Sequence, residues 1–147
     1  MKSVKYYAHT RPEGEWQPLR EHLVRVAALA RRFASAARPG DAQFAEAAKW
    51  SGLLHDLGKY TDEFQEYLQK KRQAGSDTYH ASFGAKAVSD KDWCAPSFAI
   101  AGHHAGLHDR GDLQSLVESS RNSMQSRLAC VLARFSGEIW TAWPDAI

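Results

Sequence analysis

The chain has 147 residues, 44% of them hydrophobic, a length and apolar content that fit one domain spanning 1–147 with a substantial buried core. Lys+Arg 19 against Asp+Glu 17 leaves a formal net charge of +2, which lacks the basic excess that marks phosphate-driven binding and neither demands nor excludes a polynucleotide. Cys94 and Cys130 lack paired-cysteine spacing, which argues against a disulfide framework and makes a reducing cytoplasm the expected setting, while no apolar run before Gly14 resembles a leader and none approaches the roughly 20 residues of a membrane span.

From Pro18 to Ala37, apolar Leu19, Leu23, Val26, Ala27, Ala30, Phe33 and Ala34 recur at the three-and-four spacing of an amphipathic helix, with Pro18 suited to its first turn. Arg38-Pro39-Gly40 breaks the pattern. Asp41 is a good N-cap for a second helix through Phe44, Ala47, Ala48, Leu53 and Leu54 to about Leu57, and Gly58 is placed to end it. Thr61 caps a short third helix with Asp62 and Glu63 in its first turn and Lys70, Lys71 and Arg72 in its last, the order the helix dipole favours. Ala74 to Thr78 reads as a polar loop, His80 to Asp90 as a helix, and Pro96 as the start of another helix reaching Gly102-His103-His104. After a loop from Ala105 to Gly111, helical patterns run from Leu113 to Trp143, where Leu128, Val131, Leu132, Phe135 and Ile139 form one stripe. Strand-like alternation is confined to Val4 to Ala8, so the expected class is all-α, a compact helical bundle without internal repeats.

The chemistry is concentrated in histidines. Of the 7 present, His22, His55, His80, His103 and His104 fall where helices should point them inward; His9 and His108 have weaker claims and fall outside the ligand set. His22 lies one turn from Leu19 and Val26 on an apolar face, where an imidazole needs a partner; taken alone, it is better read as a hydrogen-bonded core histidine. His55-Asp56 follows Leu53-Leu54 at a helix end. At this composition a His-Asp dipeptide arises by chance about 0.4 times per chain, so its weight comes from context: Leu54-His55-Asp56-Leu57-Gly58-Lys59 joins an apolar approach, two ligands, a glycine and a cation that a metal-bound phosphate would want nearby. The plainer alternative for Lys59 is an ordinary solvated lysine. His103-His104, flanked by Gly102 and a loop, is poor core material and could divide its work between ions, although a surface pair of this kind taken alone is as often inert as ligating. Ligands spread over four helices can converge in the centre of a bundle. A site dominated by imidazole suits Mn, Fe, Co, Ni or Zn, whereas Mg asks for more carboxylate.

Glu21-His22-Leu23, then Leu54-His55-Asp56-Leu57-Gly58-Lys59, then His80-Ala81-Ser82 with Gly84-Ala85, then Ala101-Gly102-His103-His104-Ala105-Gly106-Leu107 together resemble the HD nuclease domain of the CRISPR type I helicase-nuclease, a branch of the HD metal-dependent phosphohydrolases. Ala8-His9 and the approach from Trp16 to Leu19 are similar too, and the resemblance covers roughly residues 6 to 110. It implies a helical bundle, two divalent transition ions and metal-dependent cleavage of single-stranded DNA in CRISPR interference. It also implies a CRISPR helicase subunit or domain and an RNA-guided surveillance complex as partners. Carried over, His22, His55 and Asp56 hold one ion; His80, His103 and His104 hold the second with Asp56 bridging; Lys59 stands near the scissile phosphate. The family closes the first ion's shell with an Asp on a later helix. Asp109 and Asp112 lie too near the His-His loop and Asp145 too near the end, so the expectation is a fragment that stops before that helix or an altered site. Lys70-Lys71-Arg72 with Arg110 could guide a DNA backbone, and Trp50, Trp93, Trp140 and Trp143 could stack bases or pack the core. The rival readings are a phosphohydrolase of a nucleotide or cyclic dinucleotide and a non-catalytic docking module.

Overall fold

The stripe beginning at Leu19 becomes the first helix of the computed structural model, which describes residues 6–118 and 121–139. Helix α1 (Leu19–Ala37) buries Leu19, Leu23, Ala27 and Ala34. Phe33 falls off that line and is 63% exposed, with the Arg32 guanidinium over its ring. Asp41 caps α2 (Ala42–Leu54) by accepting from the Phe44 amide at 2.9 Å. The two helices return on each other at glycine distance: a Cβ on Gly52 would lie 2.7 Å from Ala27 Cα. With backbones this close, His22 and His55, toward the same end of the pair, can meet across the interface.

The second helix ends earlier than its apolar pattern predicts. It stops at Leu54, Asp56 leaves helical geometry at φ −107 and ψ 21, and a 3-10 turn follows over Leu57–Tyr60. Gly58 therefore does not terminate the helix. It lies inside the turn, where a Cβ would come 2.6 Å from His80 Cα. Thr61 does cap α3 (Asp62–Leu68), its hydroxyl accepting from the Phe64 amide. Lys70 takes a left-handed φ of 58, and the Lys71 amide reaches back to the Glu66 carbonyl at 2.9 Å. This helix-closing turn leaves Lys70-Lys71-Arg72 beyond the last turn, not within it.

His80 is the N-cap residue of α4 (Ala81–Ser89), followed by α5 (Cys94–Ala105). Pro96 sits within the first turn of α5, where its missing N–H would have had no helical partner anyway. Helix α6 (Arg110–Glu118) begins inside the segment expected as loop, because Asp109 accepts from the Asp112 amide at 2.8 Å and supplies the cap. In α7 (Arg121–Glu138) and just after it, Leu128, Val131, Phe135 and Ile139 are buried as the stripe requires. The expected continuation from Trp140 to Trp143 lies outside the described residues, as does Val4.

What survives of the N-terminal alternation is β1 (Tyr7–His9), paired antiparallel with β2 (Gln17–Pro18). The chain is all-α in class, with this ribbon as the sole sheet among the described residues. The core gathers Leu54, Leu57, Tyr60, Ile100 and Phe135 between the helices, and Trp50 and Trp93 are buried in it with rings 6.0 Å apart, a packing use for both tryptophans. No described helix is long and apolar enough to cross a membrane.

Candidate metal centre

Among the described residues, Asp56 is the only buried acidic side chain, 1% exposed. Its neighbours are imidazoles and one ammonium. His22 from α1 and His55 from the end of α2 bring their Nε2 atoms to 3.1 and 3.2 Å from Asp56 Oδ2. His80, at the head of α4, and His103, on the last turn of α5, bring theirs to 3.1 and 3.5 Å from Oδ1. Each carboxylate oxygen thus faces its own pair of histidines from different helices. Lys59 Nζ, 3% exposed, stands 2.9 Å from Oδ2.

The helical frame produces this convergence through close backbone approaches. Gly52 seats α2 on α1; Gly58 lets the turn after Asp56 rest on the backbone of His80; at Gly84 a Cβ would collide with the Leu54 carbonyl oxygen, so α4 lies directly against the end of α2. Ring orientation is set by backbone carbonyls three residues earlier. His55 Nδ1 is 2.8 Å from the Gly52 carbonyl oxygen and His103 Nδ1 is 2.6 Å from that of Ile100. A neutral imidazole that donates there presents the Nε2 lone pair to the centre, the usual arrangement of a metal-binding histidine.

Burial alone would raise the Asp56 pKa, but the imidazoles of His103, His22, His55 and His80 outweigh it and hold the carboxyl well below the usual carboxylate range. Burial, with Lys59 and His22 for His9 and with His103 and His80 for His104, pulls those two histidines below their ordinary value toward the neutral form that can ligate.

Several features fit a metal ion. Asp56 Oδ1 and His103 Nε2 are buried without a hydrogen-bond partner, a costly condition that a cation would relieve. Imidazole nitrogens also face one another, His22 against His55 at 3.2 Å and His104 against His80 at 3.0 Å. The donors fall into two overlapping groups, Asp56 with His80, His103 and His104, and Asp56 with His9 and His22, the atoms of each group lying within 4.8 Å of one another. Either group could hold an ion, and Asp56 belongs to both.

All seven side chains singled out in the sequence come together: His22, His55, Asp56, Lys59, His80, His103 and His104. One detail differs from expectation. His104 is exposed rather than turned inward, at the rim where its Nε2 meets His80. Lys59 stands beside the cluster, buried between Asp56 and the Ala8 carbonyl oxygen, the latter at 3.2 Å, rather than in solvent. The residue that sequence reasoning left out is His9, whose ring lies 5.0 Å from that of His22. A three-residue strand has no periodicity by which to locate its partner, so only the Ala8-His9 string hinted at it. His108, also left out, stays outside both groups and contacts the Ala101 carbonyl oxygen instead. Asp109 and Asp112 belong to neither group, and Asp145 lies outside the described residues.

No curated protein sequence gives a significant match to the chain. The HD domain family does match, over residues 19–135, a span that takes in His22, His55, Asp56, Lys59, His80, His103 and His104 and leaves out His9. The match covers well over half of the chain, and with this histidine and aspartate cluster at its heart the chain belongs to the HD domain family of metal-dependent phosphohydrolases.

Proposed function

We propose that the chain is a metal-dependent phosphodiesterase that cleaves single-stranded DNA, acting in CRISPR interference beside a helicase and an RNA-guided complex in the cytoplasm. The observation that carries the two-ion part of this reading is Asp56, with a separate pair of imidazoles on each oxygen. A carboxylate so placed can bridge neighbouring ions. The donor set, imidazoles around one carboxylate, favours Mn, Fe, Co or Ni, with Zn and Mg as weaker fits.

Bound there, divalent ions would supply Lewis acidity toward a phosphate oxygen and a water acidified enough to attack phosphorus. The protein's own part is orientation and charge. Gly52 and Ile100 carbonyls fix the rings of His55 and His103, and Lys59, 2.9 Å from Asp56 Oδ2, would add positive charge close to where the phosphodiester gains negative charge. A row of imidazoles with exposed ends supports a strand over an enclosed small molecule. Ring contacts run from His9 through His22, His55 and His103 to His104 at centroid spacings of 5.0, 5.2, 5.1 and 4.1 Å, and both ends of this row are exposed.

The test is an assay of circular single-stranded DNA beside a panel of nucleotides and cyclic dinucleotides, with Mn, Co or Ni added. The expected result is cutting of the circle, lost in His55→Ala while its far-ultraviolet circular dichroism stays helical. Hydrolysis of a nucleotide with the circle intact would replace the substrate and keep the metal centre. Full nuclease activity in His55→Ala would overturn the assignment of the site.

A further inference from the structure

Strand β1 enters the centre from outside the bundle. Tyr7 and Gln65 are joined twice, the Tyr7 amide donating to Gln65 Oε1 at 3.1 Å and Gln65 Nε2 donating to the Tyr7 carbonyl at 3.0 Å. Gln65 Nε2 also donates to the Lys59 carbonyl at 2.7 Å, and Lys59 Nζ in turn donates to the Ala8 carbonyl at 3.2 Å. Gln65 and Lys59 are 8% and 3% exposed, so little water competes for these bonds, and Ala8, whose carbonyl Lys59 holds, is 1% exposed. The next side chain is His9, in the donor group with His22 and Asp56. That group contains no carboxylate besides Asp56, and its strand-borne member lies outside residues 19–135 of the family match.

We propose that His9 is a metal ligand and that β1 is a strap: His9 completes the shell of the ion held by His22 and Asp56, while Gln65 and Lys59 position the strand so that this ion loads only when the strap is docked. The chemistry is that of a borderline divalent ion accepting a further imidazole where an oxygen donor is lacking. Because Lys59 is bonded to both the strap and Asp56, loss of the strap also alters the surroundings of the shared carboxylate. The inference rests on the reading of the cluster as a metal centre and is independent of the nucleic-acid substrate.

The test titrates the full chain with Co(II) alone, reading stoichiometry and affinity by calorimetry and ligand environment by visible absorption, in the wild type, His9→Ala, His104→Ala and Gln65→Glu. His9 is exposed, so its removal leaves the core intact, and an unchanged melting curve of the ion-free protein verifies this. The expected result is that His9→Ala weakens one Co(II) site by at least the about 10- to 100-fold lost when a group merely supporting a ligand is removed, with a changed absorption spectrum, while His104→Ala weakens the other site. Gln65→Glu, which keeps an acceptor for the Tyr7 amide but loses the amide donor, is expected to weaken the same site as His9→Ala. Wild-type Co(II) binding that His9→Ala leaves unchanged in number, affinity and spectrum would overturn the proposal and leave the metal centre standing. Failure of the wild type to take up Co(II) would overturn both, and a full effect of His9→Ala with none from Gln65→Glu would overturn the strap.

Discussion

Substituting Gly58 by Ala isolates the contact that holds the two halves of the cluster together. Gly58 follows Asp56 by two residues, and its backbone rests on His80, which stands at the head of α4. The added Cβ would lie 2.6 Å from His80 Cα and 2.8 Å from Phe83 Cδ2, and would overlap the His80 carbonyl oxygen outright. The shortfall from ordinary contact at 3.4 Å is about 0.8 Å for the Cα alone. Backbone atoms cannot rotate away as a side-chain end can, so the turn and α4 must separate. Overpacking of this kind costs about 1–3 kcal/mol, which for a domain near this size lowers the melting temperature by about 2–12 °C. The same displacement opens the 3.1 Å approach of His80 Nε2 to Asp56 Oδ1. A thermal melt of the ion-free protein and a Co(II) titration read the two effects separately. Gly137→Ala is the control: it lies in α7 with open space around its Cβ position, and the change is expected to stabilise by about 0.5–1 kcal/mol. A Gly58→Ala protein that melts with the wild type and loads Co(II) equally would refute the argument that a glycine is required there for close approach.

Asp56→Ala leaves the Lys59 ammonium buried without its carboxylate and is expected to cost about 3–5 kcal/mol in urea unfolding; adding Lys59→Met should recover part of that loss, and no recovery would count against the ion pair as the cause. Asp62 accepts two bonds from Arg134, at 2.8 and 2.9 Å, and that guanidinium holds its carboxyl below the usual range. A depressed folded-state pKa contributes stability above the ordinary Asp value of about 3.9 and loses it as pH falls through the lower folded value, so the deficit of Asp62→Asn should be present at neutral pH and vanish in stronger acid. Glu138 has the opposite sign: burial raises its pKa despite the bond from the Tyr60 hydroxyl, so its contribution is full below the ordinary Glu value of about 4.3 and declines as pH rises through the folded one. Glu138→Gln should therefore flatten that decline, as read in melts between acidic and neutral pH.

The local sequence determined the class of the fold and the members of the cluster. Apolar residues at three-and-four spacing specify α1 and the stripe of α7 wherever they are, and a histidine on such a stripe, as His22 is, calls for a partner because burial without one is costly. Asp41 and Thr61 were legible as caps because a cap acts on amides two or three residues away. Asp109 uses the same chemistry, but it lies in a loop between two weak patterns that give a cap nothing to mark.

Contacts between distant segments were decided only by the tertiary structure. The end of α2 at Leu54, the buried place of Lys59, the exposure of His104 and the role of Gly58 as a spacer all depend on what lies opposite, and no periodicity encodes that. His9 shows the division most plainly. Its own three-residue strand carries no signal of a destination, and it reaches the centre because Gln65 and Lys59, fifty or more residues later in the chain, bond the backbone of Tyr7 and Ala8. The sequence supplied the imidazoles, the carboxylate and the helices that carry most of them, since those follow from local pattern. Which donors share an oxygen of Asp56 was set by backbone approaches at Gly52, Gly58 and Gly84, because a ligand shell is a matter of tenths of an ångström between elements that the chain alone leaves unrelated.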